Sequence, residues 1–131
     1  MGVFNRWRDI FSNRYNSWDI SLVPMIRDDK HLKFIRSLPC CVCLKTFTVQ
    51  AAHIRKGNDG GTGLKPSDCY TVPLCSECHI KQHTMGEVSF WGDIEKATQL
   101  ASKLYILTDK SKAILTILEF NRVFRSQKRQ G

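Results

Sequence analysis

Two CxxC pairs constrain this chain more than any other feature: Cys40 with Cys43, and Cys75 with Cys78. A CxxC knuckle brings two thiolates to one ion from a tight turn. Two knuckles supply tetrahedral sulfur, the donor set of structural zinc. The pattern predicts a clamp that ties an N-terminal helix, the hairpin between the pairs and a third element together. In a chain of 131 residues with a modest core, such a clamp contributes directly to folding. Cys41 stands next to Cys40 and offers a CxC alternative, while Cys69 is left over and expected to be packed.

The remaining composition narrows the class. A formal charge of +8 and a pI near 9.4 favour polyanions, nucleic acid first. The apolar runs are short, with AILTIL (113–118) among the longest, so no membrane association is expected. The opening MGVFNRWRDIF scatters charge through its apolar residues, and Arg6 stands where a myristoylation signal has Ser or Thr. The expected location is the cytoplasm, where disulfides are disfavoured and cysteine spacing is metal chemistry first.

The local pattern predicts an α+β fold. Residues 1–27 read as a basic, aromatic extension, residues 28–91 as the zinc-clamped core, and residues 92–131 as a helical region with a basic tail. DDKHLKFIRSLP (28–39) predicts a short helix capped by Asp28 or Asp29, with Leu32, Ile35 and Arg36 on one face and His31 at the surface. TFTVQAAHI (46–54) and YTVPL (70–74) predict strands, the second marked by Pro73 as an edge or a strand end. Between them, RKGNDGGTGLKPSD is a glycine-rich loop. A helix is expected from Ser76 to about Met85, stopped by Gly86. Two amphipathic helices follow, over 93–107 (Ile94, Ala97, Ala101, Leu104) and 111–125 (Ile114, Ile117, Leu118, Phe124). Their apolar faces pack on the core or on a second subunit; the oligomeric state is left open.

Within LCSECHIKQH (74–83), His79 and His83 are four apart on the predicted helix and project from one face, where two imidazoles can hold a divalent cation. His53 ends the first strand. A clamp joining the cysteines brings that strand against the helix and turns His53 toward the pair.

The succession of strand, His53, glycine-rich loop, strand, LCxxCH and a further histidine resembles the HNH, or ββα-metal, endonucleases. IRSLPCCVC, AAHIRKGNDGGTGLKPSD and VPLCSECHIKQH are most similar to phage and prophage HNH proteins related to the recombination-associated nuclease Ref, over roughly 32–91. The resemblance implies a ββα-metal core with His53 as the general base, and His79 and His83 holding a catalytic Mg2+, Mn2+ or Zn2+. It also implies a structural Zn2+ on Cys40, Cys43, Cys75 and Cys78. The implied partners are single- or double-stranded DNA and a recombination protein, in the host cytoplasm if the chain is phage encoded. The chain departs from the family at Ala52, where many members carry an Asp or His ligand, and near Tyr70, where the middle Asn of the family name falls. Asp68, or Asp59, is then the candidate to supply a carboxylate ligand or to orient His53. Arg55, Lys56 and Lys65 flank the expected cleft and suit phosphate contacts without base readout. The resulting expectation is a DNA endonuclease of little sequence preference. The competing one is an inactive zinc-containing module that binds nucleic acid.

Overall fold

The computed structural model describes residues 26–55 and 66–130. They form an α+β fold with a two-stranded sheet and five helices. Helix α1 spans Asp29–Arg36 and is capped by Asp28, whose carboxylate accepts the His31 N–H at 3.0 Å. Strands β1 (Val49–His53) and β2 (Thr71–Cys75) pair antiparallel, with Val49 opposite Cys75 and His53 opposite Thr71. Helix α2 (Ser76–Met85) leaves β2 directly and ends at Gly86, whose φ of 87° is the left-handed conformation glycine adopts without strain. Helices α3 (Glu87–Trp91), α4 (Ile94–Ile106) and α5 (Lys110–Gln130) complete the chain.

Pro73 sits inside β2, opposite Ala51. Its carbonyl accepts the Cys41 N–H at 2.9 Å. A strand residue points its N and O to the same side, so the donor that proline lacks would have faced away from β1, and no ladder bond is lost. The first strand is shorter than its alternating pattern suggested. Thr48 takes a left-handed φ of 56°, which breaks the extended run before Val49.

One apolar core joins the hairpin to the helices. Ile35 and Leu38 meet Ala52, Ile54, Val72 and Leu74, and the cluster continues through Phe90, Trp91, Leu100, Leu104, Ile117 and Phe124. Trp91 and Phe124 meet edge to face at 5.9 Å. His31 is not at the surface: it is buried, edge-on to Tyr105 at 4.8 Å. The inner face of α1 runs through His31 and Ile35, displaced from the expected Leu32 and Arg36, because the His31 ring finds an aromatic partner on α4. Leu118 is exposed rather than packed, as is Leu115, while α5 runs five residues beyond its expected end. The short helix α3 carries no amphipathic repeat long enough to be read in sequence.

No helix among the described residues is long and apolar enough to cross a membrane. Most of the expected N-terminal extension, together with Asp59, Lys56 and Lys65, lies outside the described residues.

Candidate metal centre and histidine cluster

The cysteine quartet is assembled by two turns. The first knuckle follows α1: the Leu44 N–H reaches the Cys40 carbonyl at 2.9 Å, and the Cys40 N–H reaches that of Lys45 at 2.8 Å. Leu44 turns the chain with a φ of 65°. The second knuckle is the junction of β2 and α2, where Cys75 is the helix N-cap and Cys78 lies in the first turn. Register places Cys75 beside Val49, and the Cys41–Pro73 hydrogen bond holds the first knuckle against the outer edge of β2.

The sulfurs of Cys40, Cys43, Cys75 and Cys78 all lie within 4.8 Å of one another, with Cys43 and Cys75 at 3.6 Å. A zinc tetrahedron with bonds of about 2.3 Å has edges of about 3.8 Å, so spacing and donor set suit a structural metal such as zinc. Cys40 joins the cluster, and Cys41 is instead a fully buried neighbour. Burial, with the charge of Cys40, pushes the Cys41 thiol well up. Burial acts to raise Cys75 too, but hydrogen bonds from the Cys78 backbone N–H and the neighbouring thiols outweigh it and lower its pKa. Burial and then the charge of Cys40 push Cys78 up. Thiolates this close repel one another, and a cation is what lets all four ionise together.

The first knuckle is also gripped from the far end of the chain. Asn121 on α5 is buried and its amide donates to the carbonyls of Cys41 at 3.1 Å and Val42 at 2.6 Å. Lys45 pairs with Glu77 in the first turn of α2 across the surface.

The histidines form a different kind of group. His53 places Nε2 at 2.9 Å from Oδ1 of Asp68. Asp68 is nearly fully buried, and its Oδ2 accepts the Asp28 N–H at 2.7 Å. Burial would raise this carboxyl, but the Asp28 N–H, His53 and Arg27 together outweigh it and hold the pKa below the usual carboxylate value. A carboxylate only accepts, so neutral His53 carries its proton on Nε2 and its lone pair on Nδ1.

On α2, the rings of His79 and His83 lie 4.8 Å apart. Cys78 and Gln82, also four apart, form the buried side of the same helix. The helix therefore gives one stripe to the quartet and core and a neighbouring stripe to the imidazoles. His79 Nδ1 lies 2.6 Å from Oε1 of Gln50 on β1. Burial lowers the His79 pKa, and positive charge on His83 and on His53 lowers it further, so the three histidines lie in one electrostatic neighbourhood. They do not close into a ligand set. Among the described residues, the cysteine quartet is the group of three or more ligating side chains whose donor atoms all lie within 4.8 Å.

The side chain of Arg55 is exposed at the end of β1, with its backbone N–H held by Glu87 of α3 at 2.7 Å. Ala52, which precedes His53 on β1, is wholly buried in the core. A groove of about 450 Å3 between α4 and α5 is lined by none of these residues. Gln50, Glu87 and Asn121 had no signal in the sequence, since each acts through a partner distant in the chain.

No curated protein and no solved structure matches the chain. A family model does match residues 23–111, which include α1, the hairpin, both knuckles, all four histidines and α4. That span is more than half of the chain, and the protein belongs to the DUF968 family, described as proteins of unknown function.

Proposed function

We propose that this protein is a metal-dependent endonuclease of the HNH, ββα-metal type, hydrolysing phosphodiester bonds in DNA with little sequence preference. The observation that carries the reading is the His53–Asp68 couple in the electrostatic neighbourhood of the His79–His83 pair. In this reading β1, β2 and α2 are the ββα-metal core, and the cysteine quartet holds a structural zinc. The resemblance to Ref-like proteins extends the proposal to a phage or prophage origin and a role beside a recombination protein.

The chain's own groups divide the work. Asp68 fixes the ring and tautomer of His53, which leaves the Nδ1 lone pair to take a proton from the attacking water. The water oxygen bonds to phosphorus as the bond to the leaving oxygen breaks. His79, kept neutral by burial and by its neighbours, can offer a lone pair together with His83 to a divalent cation. Such a cation supplies Lewis-acid stabilisation of the phosphate and of the leaving oxygen. Two imidazoles leave room for solvent and phosphate oxygens, an open arrangement suited to catalysis rather than to structure. Arg55, with Lys56 and Lys65, gives phosphate contacts without reading bases.

The test is cleavage of plasmid and of single- and double-stranded oligonucleotides with Mg2+, Mn2+ or Zn2+. His53→Ala is expected to lower the rate by about two to four orders of magnitude while both metals stay bound. The native rate should rise with pH through neutrality, and that limb should vanish in the variant. Equal rates for native protein and His53→Ala would refute the assignment.

One observation favours a second reading. Ala52 offers no ligand and is sealed in the core. If no cation supports cleavage while binding persists and weakens with salt, the protein is an inactive zinc-containing module for nucleic acid.

A further inference from the structure

Gln50 is the second residue of β1 and is exposed, a position where glutamine is ordinarily solvated. Here its amide oxygen meets Nδ1 of His79, 29 residues away, at 2.6 Å. We infer that Gln50 is a positioning residue: by accepting a hydrogen bond from Nδ1–H of His79, it fixes the tautomer whose Nε2 lone pair can hold a cation. The inference rests on the reading of His79 and His83 as the cation-holding pair and adds the group that makes His79 competent for it.

The argument is one of donors and acceptors. An amide oxygen only accepts, so the ring nitrogen facing it must carry hydrogen. A neutral imidazole has one N–H, so Nε2 is left with the lone pair. Without an acceptor at Nδ1 the proton can occupy either nitrogen, and the ring can turn. With its proton on Nε2, His79 cannot ligate through that atom. A fixed partner on the second nitrogen therefore sets both orientation and ligand strength.

A purely structural role explains the contact less well. The hairpin and α2 are already joined by the Ser76 N–H to the carbonyl of Thr48, just before β1, at 2.9 Å, and by the direct passage of β2 into α2.

The experiment has two readouts on the full chain with its cysteine site filled by zinc. Long-range 1H–15N correlation of the imidazoles, without added cation, reports which nitrogen of His79 is protonated. Titration with Mn2+ reports affinity. Native protein should show His79 protonated at Nδ1, and Gln50→Leu should move proton population to Nε2. Gln50→Leu should weaken Mn2+ binding by about 10–100-fold, as for loss of a partner behind a metal ligand. Gln50→Glu, which keeps an acceptor and adds charge, should restore native affinity or exceed it. The inference is overturned if native His79 is protonated at Nε2, or if Gln50→Leu leaves the tautomer unchanged. It is also overturned if Gln50→Leu binds Mn2+ as native does while His79→Ala does not. If native protein and His79→Ala bind Mn2+ equally, the cation-holding pair itself is refuted and the role of Gln50 falls with it. That outcome is recognised by the unchanged His79→Ala control.

Discussion

The cysteine quartet and the histidine cluster share one helix and differ in how completely each is enclosed. The quartet offers four like donors within 4.8 Å of one another, and Cys40, Cys75 and Cys78 are buried. The histidine cluster offers donors of mixed kind, each tied to its own partner: His53 to Asp68, and His79 to Gln50. A closed donor set holds an ion and asks nothing further of it, whereas an open one leaves positions for reactants. In the proposed reading, a ten-residue stretch serves two ends. α2 begins at the quartet, and the spacing of four then repeats on two adjoining stripes, one buried and one facing outward.

The largest expected effect tests the closed half. Structural zinc contributes about 10–16 kcal/mol to folding in small zinc domains, more than the whole stability of a typical small domain. Cys78→Ser or strong chelation should therefore abolish the cooperative thermal transition seen by circular dichroism, and elemental analysis should give about one zinc per native chain. Removing His83 should leave that transition in place. If instead His83→Ala unfolds the chain and Cys78→Ser does not, the contrast between the two regions is reversed.

The next effect probes the junction at Asp68. Asp68→Asn keeps one acceptor where the carboxylate has two, and should cost about 1–3 kcal/mol in urea unfolding. The sign with pH follows from its depressed pKa. Below the ordinary carboxylate value of about 3.9 the unfolded chain binds more protons, so this stabilisation is present above that pH and is lost as pH falls through the folded value. Native protein should lose stability on acidification below about pH 4, and the variant should lack that component.

These two regions were not equally legible in the sequence. Cysteine spacing is a local code, because the three-residue step within a knuckle already fixes which donors share an ion. The bounds of α2 were equally legible, since Gly86 stops the helix by backbone chemistry alone. What the sequence withheld depends on packing at a distance. The face of α1 was misplaced because the partner of His31 is Tyr105, on a helix not adjacent in the chain. The choice between Cys40 and Cys41 turned on the pairing of Cys41 with Pro73. Gln50 had no pattern at all, as one polar residue in a strand looks like any other until α2 crosses it.

A smaller effect concerns Asn121, the brace behind the first knuckle. Asn121→Leu removes two donated hydrogen bonds from a buried site and should cost about 1–3 kcal/mol without altering zinc content, measured by denaturant midpoint. Loss of zinc in that variant would make α5 part of the metal site rather than its support. The smallest effect lies outside both regions. Thr48 is β-branched at a left-handed φ, and Asn tolerates that conformation better. Thr48→Asn should raise the unfolding midpoint by an amount worth about 0.5 kcal/mol.

The Asn121 brace also sets an order of events during synthesis. All four cysteines of the quartet have been made once Cys78 is added, well before their brace. The carbonyls of Cys41 and Val42 must wait for a donor about 80 residues downstream. At roughly 5–20 residues per second, the stretch from Cys78 to Asn121 takes about 2–9 seconds. During that interval Phe90 and Trp91 lack Phe124, so the growing chain has its cysteine quartet complete at one end and its aromatic core uncovered at the other.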